Sequence, residues 1–316
     1  MTTTGHLVTL GETMAVFSAA QAGPLSNNKE MRLSHAGAES NVAIGASRLG
    51  ARVTWISRLG EDGFGELIQR ELRAERVEVA VRVDPTRPTG LMVKERPNAL
   101  RTNVRYYRSG SAASAMTAFD VDRDTIAAAD VLHVTGVTPA LGPGPSSAVL
   151  QAVDMAREND TLVSLDLNYR SSLWSREDAG AALDHLVRRA DVVFAGPEEA
   201  SLVVPDGPVQ DLAEALAAMG PAQVVLKLGA EGAYSVIDGE VRKTPAVAVP
   251  VVDTVGAGDA FVAGFLAEWM AGATADERLR TAVTAGAFAC TTLGDWEGLP
   301  TRADLESLSA SDAVHR

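Results

Sequence analysis

Apolar residues run in short continuous blocks along this chain, and the blocks alternate with stretches of helical period. HLVTLG (6–11), RVTWIS (52–57), VLHVTG (131–136), TLVSLD (161–166), DVVFAG (191–196) and QVVLKL (223–228) carry few polar interruptions. Such runs suit strands buried on both faces of a parallel sheet, because a sheet with one wet face alternates. Between them the spacing predicts helices over about 38–49, 62–74, 144–158, 176–190 and 208–219. Gly50 follows the first and Gly220 the last, where glycine commonly stops a helix. The rhythm predicts an α/β fold: a doubly wound, mostly parallel sheet with helices on both faces. Ligands of such sheets sit outside the carboxyl ends of the strands.

Two segments break the rhythm. Residues 12–35 lack a helical period and read as irregular. Residues 84–110 hold two extended stretches, GLMVKER and TNVRYYRSG, around a turn carrying Pro97 and Asn98. They read as a hairpin outside the parallel sheet. Together the two segments predict a small β lid over the mouth of one domain spanning residues 1–316. In the last third, QVVLKL, GAYSVID, EVRKTPA and VAVPVVD are spaced closely enough to predict antiparallel strands. Helices over about 256–271 and 275–292 follow. The chain has no repeat, low-complexity tract or Pro/Ser linker.

Composition narrows the partners. The chain has 316 residues, 46% hydrophobic, with a formal net charge of −13. A chain this acidic repels nucleic acid and anionic membrane surfaces, which favours a small-molecule role. Its one cysteine, Cys290 in GAFACTTLG, forbids an intramolecular disulfide and fits a cytoplasmic location. A small core role suits Cys290 better than that of a nucleophile. The opening MTTTGHLVTLGE has neither the basic flank nor the long apolar run of a secretory leader. The apolar stretch 260–267 is far short of the roughly 20 residues that span a membrane. None of the five histidines is paired at metal-ligand spacing.

The chemistry concentrates in DTVGAGD, residues 253–259. Gly256, Ala257 and Gly258 lie between an extended segment and the apolar run AFVAGFLAEWMA. A helix beginning there aims free backbone N–H groups and the positive end of its dipole at one spot. That makes an anion site of backbone, and glycine lets a bulky anion approach. Asp259, in the first turn, is a poor phosphate ligand but a sensible base for a hydroxyl attacking a phosphoryl group. A Gly-rich turn with an acidic residue near a helix N-terminus is the plainer reading.

Four further constellations are weaker. In AGAESNVAIGASRLG (36–50), Gly37 precedes a helix start and Glu39, Ser40 and Asn41 fill its first turn, facing a ligand or simply capping the helix. In SLDLNYRSSLW (164–174), Asp166, Asn168 and Arg170 follow a strand at its ligand-facing end, or form a polar loop capping the next helix. In VRYYRSGS (104–111), period two puts Val104, Tyr106 and Arg108 on one face, over a polar ligand or protecting a sheet edge. LKLGAEGAY (226–234) is most simply a hairpin turn with Gly229 and Gly232, and such turns also pass beneath nucleotides. The chain lacks the Walker A, protein-kinase and Rossmann fingerprints.

Taken together, these pieces resemble the ribokinase-like, or PfkB, sugar kinase family, from Val8 to about Leu308. DTVGAGDAFVAGFL (253–266) is similar to the family's C-terminal signature, and AGAESNVAIGASRLG, with Gly60 in RLGEDGFG, to its N-terminal one. Glu39, YYRSGSA, LDLNYRSSLW and GDWEG resemble the 2-keto-3-deoxygluconate kinase branch. The resemblance implies that Asp259 is the catalytic base and that the backbone of Gly256, Ala257 and Gly258 stabilises the transferring phosphoryl group. It implies nucleotide contacts at Lys227, Gly229 and Gly232, and substrate contacts at Gly37, Asn41, Tyr106, Arg108, Arg170 and Asp295. ATP and Mg2+ are the implied cofactors, with a monovalent cation left open. Two positions depart from the pattern. The family's Asn-x-x-Glu element, linked to magnesium, reads Gly196-Pro197-Glu198-Glu199, so Glu199 matches and Gly196 does not. Met92 stands where some related kinases carry a substrate-contacting aromatic.

These implications give an ATP-dependent kinase for the terminal hydroxyl of an acid sugar. Arg108 and Arg170 would answer the sugar's carboxylate amid Asp259, Asp166 and Asp295. A fructokinase, or another neutral-sugar or nucleoside kinase, is the alternative within this fold. A catalytically silent sugar-binding regulator is the alternative outside enzymes. A small β lid with open edges further predicts a homo-oligomer, most simply a dimer, through the lid.

Overall fold

A computed structural model describes residues 5–98 and 101–309. In chain order the elements are β1 (His6–Leu10), β2 (Met14–Ala19), β3 (Met31–Ala36), α1 (Ala38–Arg48), β4 (Arg52–Gly60), α2 (Gly63–Ala74), β5 (Glu78–Asp84), β6 (Leu91–Asn98) and β7 (Arg101–Tyr107). Next come α3 (Arg123–Ala127), β8 (Val131–Thr135), α4 (Pro143–Glu158), β9 (Leu162–Asp166), α5 (Arg176–Val187), β10 (Val192–Ala195), α6 (Pro197–Ala200) and α7 (Val209–Ala218). The chain closes with β11 (Gln223–Lys227), β12 (Ala233–Ile237), β13 (Glu240–Thr244), α8 (Ala257–Met270), α9 (Ala275–Ala289) and α10 (Arg302–Ser309).

Nine strands form one sheet in the order β13-β12-β11-β10-β9-β8-β1-β4-β5. Its pairs are parallel from β5 to β11, and β12 and β13 add antiparallel. The unbroken apolar runs are the central strands: β1, β8 and β10 are buried throughout, as strands covered on both faces must be. One core face packs against α4, α5 and α7, the other against α1, α2, α8 and α9. The chain winds outward from β1 through β4 to β5, then returns to β8 on the other side of β1 and winds through β9 to β11. That reversal opens a crevice beyond the carboxyl ends of β1 and β8, where ligands of such sheets bind.

The second sheet has four strands in the order β3-β2-β6-β7. Here the structure departs from the sequence reading. Residues 12–35, read as irregular, contain the antiparallel pair β2 and β3. β3 is half exposed and mixes Arg32 and His35 with apolar residues, so it shows no clean period. β6 and β7 form the expected hairpin, but Pro97 and Asn98 belong to β6. Residues 99 and 100, at the reversal, lie outside the described residues. Asp84, the start of the segment read as hairpin, ends β5 of the large sheet instead. VAVPVVD (247–253) is not a strand: Pro250 has no N–H to donate, and the sheet ends at β13. Val247, Val249 and Val251 line a cavity instead.

Candidate active site

α8 is apolar nearly all round and runs buried from Ala260 to Ala267, so its N-terminus is fixed by the core. Gly256 is its N-cap, with φ +76° in the left-handed region. A Cβ there would lie 2.0 Å from the carbonyl oxygen of Asp295, so no other residue fits without moving that loop. Among the described residues, the N–H groups of Gly256 and Gly258 have no partner, whereas that of Ala257 donates to the Thr254 carbonyl at 3.3 Å. The cradle expected from all three amides is thus open at two of them.

Asp259 sits in the first turn of α8. Asn41, in the first turn of α1, donates through Nδ2 to Asp259 Oδ2 at 2.7 Å, across 218 residues of sequence. Asn41 Oδ1 is buried without a partner, so the amide both holds the carboxylate and keeps an acceptor free. Burial pushes the Asp259 carboxyl up to about 7; the Asn41 bond and the cations Lys227 and Arg170 oppose the rise, and Asp166 adds to it. Gly37, N-cap of α1, packs so that a Cβ would lie 2.3 Å from the Glu12 carbonyl oxygen.

Lys227, at the end of β11, donates to Asp166 Oδ2 at 2.6 Å. Burial alone would lower the lysine, but Asp166, Glu199 and Asp259 outweigh it and raise it. Asp166 Oδ1 is buried with no partner, and the residue lines a cavity of about 1130 Å³. That cavity is polar, and Asn168, Arg170, Arg176, Glu199, Gly256 and Asp259 are among its walls. Through Lys227, Thr254 and Gly258 it adjoins a second cavity of about 500 Å³. The second is apolar, walled by Val247, Val249, Phe261 and Val283, with Gly229 and Gly232 at its rim. Gly229 and Gly232 have φ of +58° and +95° and form the turn into β12. Cys290 lies on the wall of this cavity rather than in the core, and burial raises its thiol. An apolar slot opening into a polar, amide-lined trough fits a nucleotide base followed by its phosphates.

Glu199 accepts from the N–H groups of Gly196 at 2.6 Å and Tyr169 at 2.9 Å. Its carboxylate therefore ties the loop after β9 to the start of α6, and burial raises it. Among the described residues, no three His, Cys, Asp or Glu side chains converge on a metal position. Asp166, whose Oδ1 has no partner, and Glu199 line the same cavity and offer hard oxygen donors; one or two carboxylates fit Mg2+, which keeps waters and phosphate oxygens in its shell.

The remaining expected residues divide. Arg170 is exposed on the wall of the polar cavity; its charge acts on Asp259, but among the described residues its side chain makes no hydrogen bond or close ion pair. Arg108 does not stand free: its Nε donates to Glu12 Oε2 at 2.7 Å, its side chain is 11% exposed, and Ser111 bonds the other Glu12 oxygen at 2.6 Å. It lies beyond the end of β7, so the alternation that grouped it with Tyr106 stops short of it. Tyr106 is 44% exposed, with the Arg108 guanidinium 5.7 Å from its ring centre. Asp295, raised by burial, is paired with Lys94 of β6. Glu12 and Lys94 were missed in the sequence. For Lys94 a signal existed, since period two sets it on the face of buried Met92. Glu39 is fully buried and its carboxyl raised by burial; Thr135 and Thr138 donate to it at 2.8 and 2.7 Å.

Unpaired backbone N–H groups at a helix start with a carboxylate beside them, on a doubly wound sheet, are the arrangement expected of a phosphoryl-transfer enzyme. Residues 4–302 match the model of the pfkB family carbohydrate kinases, and the chain belongs to that family. It is an ATP-dependent sugar kinase. It is 36% identical over 314 residues, 98% of this chain and 97% of the relative, to the 2-dehydro-3-deoxygluconokinase of Bacillus subtilis (strain 168). It is 35% identical to the 2-dehydro-3-deoxygalactonokinase of Haloferax volcanii, covering 92% of this chain and 93% of that one. The crystal structure of a PfkB protein from Polaromonas sp. JS666 superposes with a TM-score of 0.88 at 35% identity, covering 96% of this chain and 99% of that one.

Proposed function

We propose that this kinase phosphorylates the terminal hydroxyl of 2-keto-3-deoxygluconate (2-dehydro-3-deoxygluconate), acting as one kinase domain with the four-stranded sheet as its lid. The observation that carries the reading is the Asp259 carboxylate, held by Asn41 next to the unpaired amides of Gly256 and Gly258. The base of ATP enters the apolar slot and its phosphates lie along Lys227 and Gly258. Asp259 orients the sugar's terminal hydroxyl and accepts its proton. A carboxyl raised toward neutrality suits a general base working near pH 7. The amides at 256 and 258 stabilise the transferring group without reorganising. Asp166 and Glu199 would hold Mg2+, directly or through water, and the bound ion supplies charge neutralisation on the phosphates.

The acid-sugar assignment rests on cations at the site and on the two keto-deoxy-sugar-acid kinases at 35–36% identity. Arg170, on the wall of the polar cavity with no hydrogen bond or close ion pair of its side chain among the described residues, is placed to take the carboxylate. Arg108, already neutralised by Glu12, contributes the part of its fork that Glu12 leaves open. This shifts the main carboxylate role from a shared pair to Arg170. A cytoplasmic location fits the single cysteine. A dimer through the four-stranded sheet fits its two open edges, β3 and β7, and the exposed Leu33 and Tyr107. The direct test is Asp259→Asn. It should keep ATP binding and cut turnover by roughly 10²–10⁴; turnover within a few-fold of wild type would remove Asp259 as the base.

A further inference from the structure

Asp295 reaches the site on the loop of residues 291–297, which is held from outside. Arg48, in the last turn of α1, donates through Nη1 to the carbonyls of Leu299 at 2.5 Å and of Trp296 and Glu297 at 3.3 Å each. Its Nε and Nη2 donate to the two oxygens of Glu75, just beyond α2, at 2.8 and 2.9 Å. The same guanidinium stands 5.5 Å from the centre of the Trp296 ring. His35 of β3 stacks on that indole with ring centres 4.8 Å apart and planes 11° from parallel. His35 is fully buried and neither ring nitrogen has a hydrogen-bond partner, so packing is its contribution.

Two parts of the site rest on this loop. The Asp295 carboxylate takes Lys94 from β6. The Asp295 carbonyl lies against the Gly256 backbone, where a Cβ would be 2.0 Å away. A shift of the loop therefore moves the Lys94–Asp295 pair, expected to meet the sugar, and the backbone at Gly256 together.

We propose that Arg48 is a positioning residue for phosphoryl transfer. It lines neither cavity of the site, yet it fixes the loop that sets Asp295 and Gly256. Arginine suits the task because its planar fork serves Glu75 and three carbonyls at once, which an ammonium does not. The competing account is local: a cation in the last turn of a helix favours that helix whatever the loop does. Lysine keeps that charge but not the fork, so Arg48→Lys separates the two.

The inference uses the sugar-kinase reading only to choose a readout. The assays use whichever sugar the wild type phosphorylates best, so a wrong assignment of the acid sugar leaves the test intact. Arg48→Lys should lower kcat/KM for the sugar about 10- to 100-fold, the scale of an ångström-level misplacement. ATP affinity, measured by direct titration, should stay near wild type, because residues 291–297 do not line the base slot. Arg48→Ala should regain activity on addition of millimolar guanidinium and not of ammonium. Melting curves monitor folding. If the arginine variants do not fold, Glu75→Gln, which loosens the same guanidinium, should lower the same parameter several-fold with ATP affinity unchanged. Wild-type kcat/KM in folded Arg48→Lys would overturn the proposal. So would equal losses in sugar and ATP affinity, or an unaffected Glu75→Gln variant.

Discussion

Replacing Asp259 by Asn should make the protein more stable at alkaline pH while it destroys turnover. The carboxyl stands at about 7 against an ordinary value of 3.8. The folded state therefore holds its proton more tightly than the unfolded chain does. Between those values the folded protein binds more protons, so stability falls as pH rises. The full contribution is present below about 3.8 and is lost above about 7. Asp259 is thus an ionisation penalty that the fold carries at pH 8. A rise from 3.8 to about 7 sets an upper bound near 4 kcal/mol, at about 1.36 kcal/mol per pH unit. Asparagine keeps the shape and an acceptor for Asn41, and it cannot ionise. At roughly 2 °C per kcal/mol for a chain of this size, Asp259→Asn should melt several degrees above wild type at pH 8. The gap should close toward pH 5. Calorimetry or dye-monitored melting from pH 5 to 9 on ligand-free protein reads it out. A variant that melts with wild type at every pH would show that Asp259 is not a strained base.

Three further outcomes follow from the geometry. Gly256→Ala should lower kcat by about 10²–10³, the scale of losing one anion-hole donor, because its Cβ would strike the Asp295 carbonyl and the backbone is left-handed; steady-state kinetics with a melting control checks it. Arg170→Met should raise KM for 2-keto-3-deoxygluconate about 10- to 150-fold, the scale of one charge-assisted hydrogen bond, with a smaller rise for a neutral sugar; equal losses on both sugars would return Arg170 to a loop-organising or phosphate role. Light scattering should show a dimer at micromolar protein, and Leu33→Asp on the exposed β3 should convert it to a monomer.

The large sheet was legible because its strands are buried on both faces and so write unbroken apolar runs. VLHVTG and DVVFAG became β8 and β10 within a residue or two. β5, EVAVRVD, lies on an edge and alternates, a weaker signal that went unread. β3 escaped because it is half exposed and mixes polar with apolar residues, so it shows no clean period; β2 is mostly buried, and its short run MAVFSA went unread inside a segment taken as irregular. VAVPVVD misled for the opposite reason: its apolar residues cover a cavity, not a sheet. At the site, residues within one motif were readable, since the helix start at Gly256 alone fixes Asp259 and the amides. Glu12 was not, because its partner Arg108 lies 96 residues away; for Lys94 period two marked the face, but its partner Asp295, 201 residues away, is met only in the folded chain. The same distance hid Arg48, in a motif that reads as an ordinary helix end.

The central claim is the reaction itself, and a coupled assay of ADP release with 2-keto-3-deoxygluconate, its galactonate epimer, fructose and ribose tests it most directly. The account predicts ATP-dependent phosphorylation with kcat/KM for the keto-deoxy acids at least about 10-fold above the neutral sugars, the worth of one charge-assisted hydrogen bond to the carboxylate. The phosphate should be found on the terminal hydroxyl. Preferential turnover of fructose or ribose would contradict the acid-sugar assignment, and no ADP release with any of the four would contradict the substrate reading as a whole.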